Sequence, residues 1–213
     1  MKKHLIIILT LILLFACSQP GTADLDQAKL LMAGDSLNAP DTTLAIEHFT
    51  AAADVGSAEA MFSLGYYSQY GIGVEKNVDE ALSWYQRSAE AGFPRAQNKM
   101  GMVYYAGSGA EKDYDLARKW FTKSAKQDYD QAQYMLGKVY SIGRGVEPDT
   151  AKAIKWLKKS VSGEHPYPQF LLGKLLYETA DSPEEIEEAR LWVKKSADKG
   201  VGHAKELLQI IDN

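Results

Sequence analysis

The chain of 213 residues contains a single cysteine, Cys17. An intrachain disulfide is thereby excluded, and so is a cluster of cysteine metal ligands. Histidine is almost as scarce. His48, His165 and His203, the three beyond the N-terminal segment, show no ligand spacing, so no metal is expected. Basic residues are not in excess: 24 lysines and arginines stand against 28 aspartates and glutamates, a formal net charge of −4. A chain of that sign lacks the electrostatic footprint of a nucleic-acid-binding domain. After residue 17 there is no long apolar run, so no later segment is expected to span a bilayer. A Gly-x-Ser-x-Gly elbow and a phosphate-binding loop are also missing, and the Gly-x-Gly pairs that do occur follow no strand. The acidic stretch 184-EEIEE-188 has the spacing of a solvated helix face. No catalytic residue and no cofactor is expected. What remains is a globular composition, 46% hydrophobic and 24% charged, long enough for one domain.

The N-terminus reads as a targeting segment. Residues 1–17, MKKHLIIILTLILLFAC, have a basic start, an apolar run over 5–15 and a small residue before the cysteine. This is a signal-peptide layout, too short for a comfortable transmembrane helix. The end of it, 14-LFAC-17, resembles a bacterial lipobox. The resemblance implies removal of residues 1–16 and lipidation of Cys17, with the new amine acylated as well. Several acyl chains on one residue meet the requirement of stable anchoring for more than one lipid. Ser18 follows where aspartate would signal retention, which implies the outer membrane, facing the periplasm. A plain secretory signal with an unmodified cysteine is the alternative. Residues 17–24 read as the lipidated tether; the seven after the cysteine give a reach of roughly 15 Å. Loss of Lys2 and Lys3 leaves the mature chain near −6.

Internal repetition organises the rest. Trp84, Trp120, Trp156 and Trp192 are each 36 residues from the next. Gly65, Gly101, Gly137 and Gly173 keep that interval, as do Ala45, Ala81, Ala117, Ala153 and Ala189. Each unit reads as two helices. In 58–92, Ala60, Leu64, Tyr67 and Gly71 form one helical face, and Ala81, Trp84, Tyr85, Ser88 and Ala89 form another. Between them Gly71-Ile72-Gly73 supplies a C-terminal cap, while Asn77, Asp113 and Asp149 occupy one N-capping column. Gly56, Gly92 and Gly200 close second helices. The expectation is an all-α fold, an α-solenoid of helix-turn-helix repeats with a 36-residue period. Units fall at about 25–57, 58–93, 94–129, 130–165 and 166–201, and residues 202–213 form a C-terminal capping helix. The alanine column lets helix backbones approach, and the tryptophan fills the space between units, at about 3–5 kcal/mol if removed. The ends depart from the pattern: His48 stands in the tryptophan column, and the first helix, near 25–34, is weak. In the unit 166–201 the stretch 182-SPEE-185 makes a capping box with proline at the first helical position, so that second helix starts early.

Units such as 132-AQYMLGKVYSIGRGVEPDTAKAIKWLKKS-160 resemble the Sel-one-like repeat, a relative of the tetratricopeptide repeat. Its theme is A-x-x-x-LG-x-x-Y-x-x-G-x-GV followed by KA-x-x-W-x-x-K-A/S. Tyr104 and Tyr140 match the family tyrosine; Ser68 and Leu176 do not. The resemblance covers nearly all of the chain after the leader. It implies a right-handed superhelix of helix pairs whose concave side binds other proteins. Cysteine-rich members are linked to β-lactam hydrolysis, but their paired cysteines are missing here. The candidate partner surface lies on the first helices, opposite the core face, in three columns. The first holds Phe62 and Tyr134, the second Tyr66, Met102, Lys138 and Lys174, and the third Gln69, Tyr105 and Tyr177. The first column can equally pack between units. The functional expectation is a non-enzymatic protein-binding module anchored by its N-terminal lipid to the cell envelope. Some lipoproteins with this repeat are immunity proteins, so the partner could be a secreted antibacterial toxin or effector such as a phospholipase. Regulation of cell-wall enzymes is the other alternative.

Overall fold

The computed structural model describes residues 21–34, 39–162 and 165–213. The leader, Cys17 and most of the expected tether lie outside them. Among the described residues the chain forms eleven helices and no strand. They are α1 (Thr22–Ala33), α2 (Thr42–Asp54), α3 (Ala58–Tyr70), α4 (Val78–Glu90), α5 (Pro94–Ala106) and α6 (Tyr114–Ala125). Then come α7 (Asp130–Ile142), α8 (Thr150–Ser160), α9 (Pro166–Glu178), α10 (Pro183–Asp198) and α11 (Gly202–Ile211). Helix α1 begins at Thr22, so the last three residues of the expected tether are helical, and Asp24 meets the His48 Nδ1 at 3.0 Å. The chain divides into two compact units, residues 1–96 and 97–213.

Helix boundaries follow local chemistry. The carboxylate or amide oxygens of Asp41, Asn77, Asp113 and Asp149 accept the backbone N–H of Leu44, Glu80, Leu116 and Lys152 at 2.8–3.0 Å. These bonds satisfy N–H groups that the first helical turn leaves open. Gly71 and Gly143 end α3 and α7 in the left-handed region, with φ of 72° and 68°. In the fourth full pair α10 starts at Pro183, and Ser182 Oγ accepts the Glu185 N–H at 3.3 Å. Glu185 reaches back to the N–H of Asp181 at 2.7 Å rather than to that of Ser182, a capping box displaced by one residue.

One contact recurs inside every full helix pair. A Cβ built on Gly65 would lie 2.8 Å from the Tyr85 ring; on Gly101 it would lie 2.5 Å from Phe121. On Gly137 it would meet Leu157 at 2.5 Å, and on Gly173 it would meet Val193 at 2.7 Å. The glycine column of the first helix is therefore the socket for a large side chain of the second. The Ala81, Ala153 and Ala189 carbonyls would lie 3.1, 3.4 and 2.9 Å from a Cβ on Gly65, Gly137 and Gly173, which marks the close crossing of the two backbones. Phe49 continues the column in α2 and is buried like the others.

The tryptophans do not hold that place. Trp120 is buried, but Trp84, Trp156 and Trp192 are half-buried. Trp84 packs against the cluster built from α1, α2 and α3, Trp156 against that of α6 and α7, and Trp192 against that of α8 and α9. Trp84, Trp156 and Trp192 bridge to the preceding pair from the rim of the seam, and all four tryptophans share one further contact. Each also carries a cation three residues on: Arg87 and Lys123 at 4.2 Å from the ring centroid, Lys159 at 5.4 Å and Lys195 at 4.2 Å. The three half-buried rings thus lie between units, as expected, and it is the residue after each tryptophan that enters the glycine socket. The next residue lies about 100° further round the helix, and only that direction faces the glycine.

Two buried polar columns complete the repeat. Ser88 Oγ donates to the Ala58 carbonyl at 2.6 Å, and Ser196 Oγ donates to that of Pro166 at 2.8 Å. In these two pairs the end of the second helix is tied to the start of its own first helix, without leaving a buried hydroxyl unmet, whereas Ser160 Oγ donates to the Leu157 carbonyl of its own helix at 2.9 Å. In residues 97–213 the column after the first-helix alanine is Gln97, Gln133 and Gln169, all buried. Gln133 Nε2 donates to Asp128 Oδ1 at 3.3 Å, and Asp128 has φ of 56° where Gly56, Gly92 and Gly200 stand in other pairs.

Two outcomes test this packing. Gly137→Ala is expected to destabilise by about 1–3 kcal/mol through overpacking, and Leu157→Ala by about 2–5 kcal/mol. The double variant should be more stable than their sum, because the new methyl enters the space that Leu157 vacates; denaturant melts of the four proteins measure the difference. For Asp128, alanine should be less stable than glycine by about 1 kcal/mol, the usual cost of a left-handed Cβ.

Candidate functional site

In residues 1–96 the exposed apolar surface of α3 gathers at two tyrosines. Tyr66 is 43% exposed and Tyr70 56%, with ring centroids 4.7 Å apart. Tyr66 also meets Tyr67 edge-on at 5.7 Å, and Tyr67 is anchored on Phe49 at 5.3 Å. A rigid base thus holds two rings toward solvent. Phe62 does not join them. It packs between Tyr85 and Phe93 at 5.3 and 5.4 Å, under the Arg95 guanidinium at 5.0 Å. Gln69 Oε1 accepts the Tyr85 hydroxyl at 2.9 Å. Burial is the main reason that the Tyr85 hydroxyl titrates well above its ordinary range, with Tyr70 and Tyr66 adding to it, so it remains a donor.

In residues 97–213 the exposed apolar positions on the first helices of the full pairs are Met102 on α5, 39% exposed, Ile142 at the end of α7, 48% exposed, and Tyr167 at the start of α9, 54% exposed. Lys138, one turn before Ile142, is half-buried and forms no ion pair among the described residues. Lys174 is exposed and lies 3.6 Å from Glu178. Tyr105 turns inward. Its ring meets Tyr114 at 5.5 Å and Phe121 at 6.3 Å, and the Arg144 guanidinium covers it at 5.2 Å. Tyr134 is half-buried between the α6–α7 and α8–α9 clusters, and burial raises its hydroxyl above the ordinary range. It lines a cavity of about 460 Å³ with Tyr129, Pro168 and His165. Tyr177 is half-buried.

Three expected columns thus separate into two kinds. The Phe62–Tyr134 column and the Gln69–Tyr105 positions serve packing, because neighbouring helices flank the first helix on both sides. The column of Tyr66 and Met102 stays open. Tyr70 and Ile142 belong to the surface too, although the sequence reading passed over them. They share one register position, one turn beyond Tyr66 and Lys138, and that spacing could have found them.

Among the described residues no three His, Cys, Asp or Glu side chains group to hold a metal. His48 pairs with Asp24, and the Nδ1 of His203 lies 3.2 Å from Glu206 on an exposed helix end. No helix among these residues is long and apolar enough to cross a membrane.

The Sel1 repeat family model matches residues 28–57, 58–93, 94–129, 130–165 and 169–201. Among solved structures the chain is similar to c5321, a protective antigen of uropathogenic Escherichia coli strains displaying an SLR fold. Identity there is 29% and the TM-score 0.79, over 91% of this chain and 41% of that one. The chain therefore spans about two fifths of that protein. A Sel1 repeat protein from Oxalobacter formigenes is 27% identical, with a TM-score of 0.76 over 89% of this chain and 75% of that one. A putative sel1 repeat protein from Klebsiella pneumoniae is 20% identical, with a TM-score of 0.50 over 91% of this chain and 100% of that one. No functionally curated protein matches the chain significantly. The five matched repeats, each made of the helix pair described above, establish that the chain belongs to the Sel1 repeat family.

Proposed function

We propose that this chain is a non-enzymatic protein-binding module, held by a lipid on Cys17 at the periplasmic face of the outer membrane. It grips a protein partner through the open column of its first helices. The observation that carries this reading is the exposure of Tyr66, Tyr70, Met102 and Ile142. The glycines and alanines of the helix crossing repeat in every full pair, while the open column reads Tyr66, Met102, Lys138 and Lys174 and the next one reads Tyr70, Ala106, Ile142 and Glu178. Large apolar side chains on an otherwise charged surface are the usual anchors of an interface. The envelope location is supported by residues 1–18 alone. A secreted antibacterial effector is the finer identity of the partner under this reading, with the chain as its immunity protein.

The test is capture from envelope extracts with tagged protein, followed by identification of what is retained. Tyr66→Ala with Tyr70→Ala is expected to weaken capture at least 30-fold, about 2 kcal/mol, at unchanged melting temperature. Tyr105→Ala is expected to lower melting temperature instead, since its ring is packed. Capture that survives the tyrosine pair and also survives Met102→Ala with Ile142→Ala would place the interface elsewhere. Cys17→Ser should move the protein from the membrane to the soluble fraction; unchanged fractionation would refute the anchor. If the retained protein is an effector, deleting the gene should sensitise cells to it.

A further inference from the structure

The second helices of residues 97–213 carry a cationic face that partner binding on the first helices leaves unused. Lys119 and Lys123 on α6, Lys155 and Lys159 on α8, and Lys195 on α10 are all exposed. None of them forms an ion pair with a described residue. The nearby carboxylates are already engaged by other cations. Asp115 holds Arg118 at 2.7 Å, Glu188 holds Lys158 at 2.9 Å, and Asp198 holds Lys194 at 3.1 Å. Helix α8 has four lysines and no acidic residue. Charge is segregated along the chain as well: residues 21–96 have 11 acidic and 4 basic residues, whereas 97–213 have 17 and 18.

Last-turn lysines complement the negative end of a helix dipole. That accounts for Lys123, Lys159 and Lys195, but not for Lys119 and Lys155, which sit a turn earlier. The last-turn lysines also lie over indole rings, at 4.2 Å for Lys123 and Lys195 and 5.4 Å for Lys159. Trp120 is buried, but Trp156 and Trp192 are half-buried, and a half-buried indole beside an ammonium is the combination that settles at the headgroup level of a bilayer. Leu191, 51% exposed, occupies on α10 the column that holds Lys119 and Lys155.

We infer that this face rests on an anionic phospholipid surface. Lysines repeated at a 36-residue period present a row of like charges. Such a row matches a plane of like phosphates better than the irregular charges of a folded partner. The inference takes its location from the lipid-anchored reading, since a short tether keeps the repeats within reach of headgroups. Orientation follows: with second helices toward the lipid, the varied first-helix column is left for the partner.

The experiment uses residues 21–213, which hold all eleven helices and every Sel1 match. Lacking Cys17, this segment binds vesicles only through its surface. Co-sedimentation with phosphatidylglycerol–phosphatidylcholine vesicles at about 50 mM salt should retain it, and about 0.5 M salt should release it. Pure phosphatidylcholine vesicles should not retain it. Each of Lys119→Gln, Lys155→Gln and Lys159→Gln should lower partitioning about fivefold, and the triple variant about 100-fold, at unchanged melting temperature. Tyr66→Ala with Tyr70→Ala should bind vesicles like the parent, so a failure of the partner site is read separately. No binding to phosphatidylglycerol vesicles, or undiminished binding by the triple variant, overturns the inference. Loss of an acidic protein from the triple variant, with no vesicle binding by the parent, overturns it in favour of a protein occupant.

Discussion

A glycine that accepts a large side chain from the partner helix is the constraint around which each repeat is built. At Gly65, Gly101, Gly137 and Gly173 there is no room for a methyl group. The residues that fill those sockets, Tyr85, Phe121, Leu157 and Val193, grow smaller along the chain yet remain buried. The smallest of them comes with a close backbone, since the Val193 N–H nitrogen and the Ala189 carbonyl would lie 2.8 and 2.9 Å from a Cβ on Gly173. Close packing is thus kept by trading side-chain volume against helix separation. The small alanines of the second helix belong to the same contact, because a larger residue there would hold the backbones apart.

Once that contact fixes how the two helices of a pair face each other, the rest of each helix is assigned. The tryptophan is rotated to the seam with the preceding pair, where part of its indole meets solvent and a cation. Ser88 and Ser196 lie one turn beyond the socket residue, where their hydroxyls reach the first turn of the partner helix. Residues on the flanks of the first helix, Phe62 and Gln69 among them, are drawn into packing. Tyr66 and Tyr70 in residues 1–96, and Met102 and Ile142 in residues 97–213, stay exposed. Stacked repeats separate these duties well, because each copy needs only its seams to match its neighbours.

The period, the residue types at the helix ends and the all-α class could be read from the order of residues. They depend on local rules: glycine takes a left-handed turn, Asp and Asn accept N–H groups, and a proline after serine opens a helix. The early start of α10 at Pro183 is of this kind. Two matters could not be read that way. Trp84 and Tyr85 are consecutive aromatic residues on one amphipathic stripe, and periodicity gives both a claim to the core. The choice between them turns on a glycine 20 residues upstream of Tyr85 and on the angle at which its helix arrives. Nor could a helical wheel tell an open face from a covered one. Gln69 and Tyr105 lie away from the core of an isolated helix, yet the second helix of the same pair reaches each of them. Exposure is a property of the neighbours that surround a residue, and those neighbours are in place only after the helices have packed.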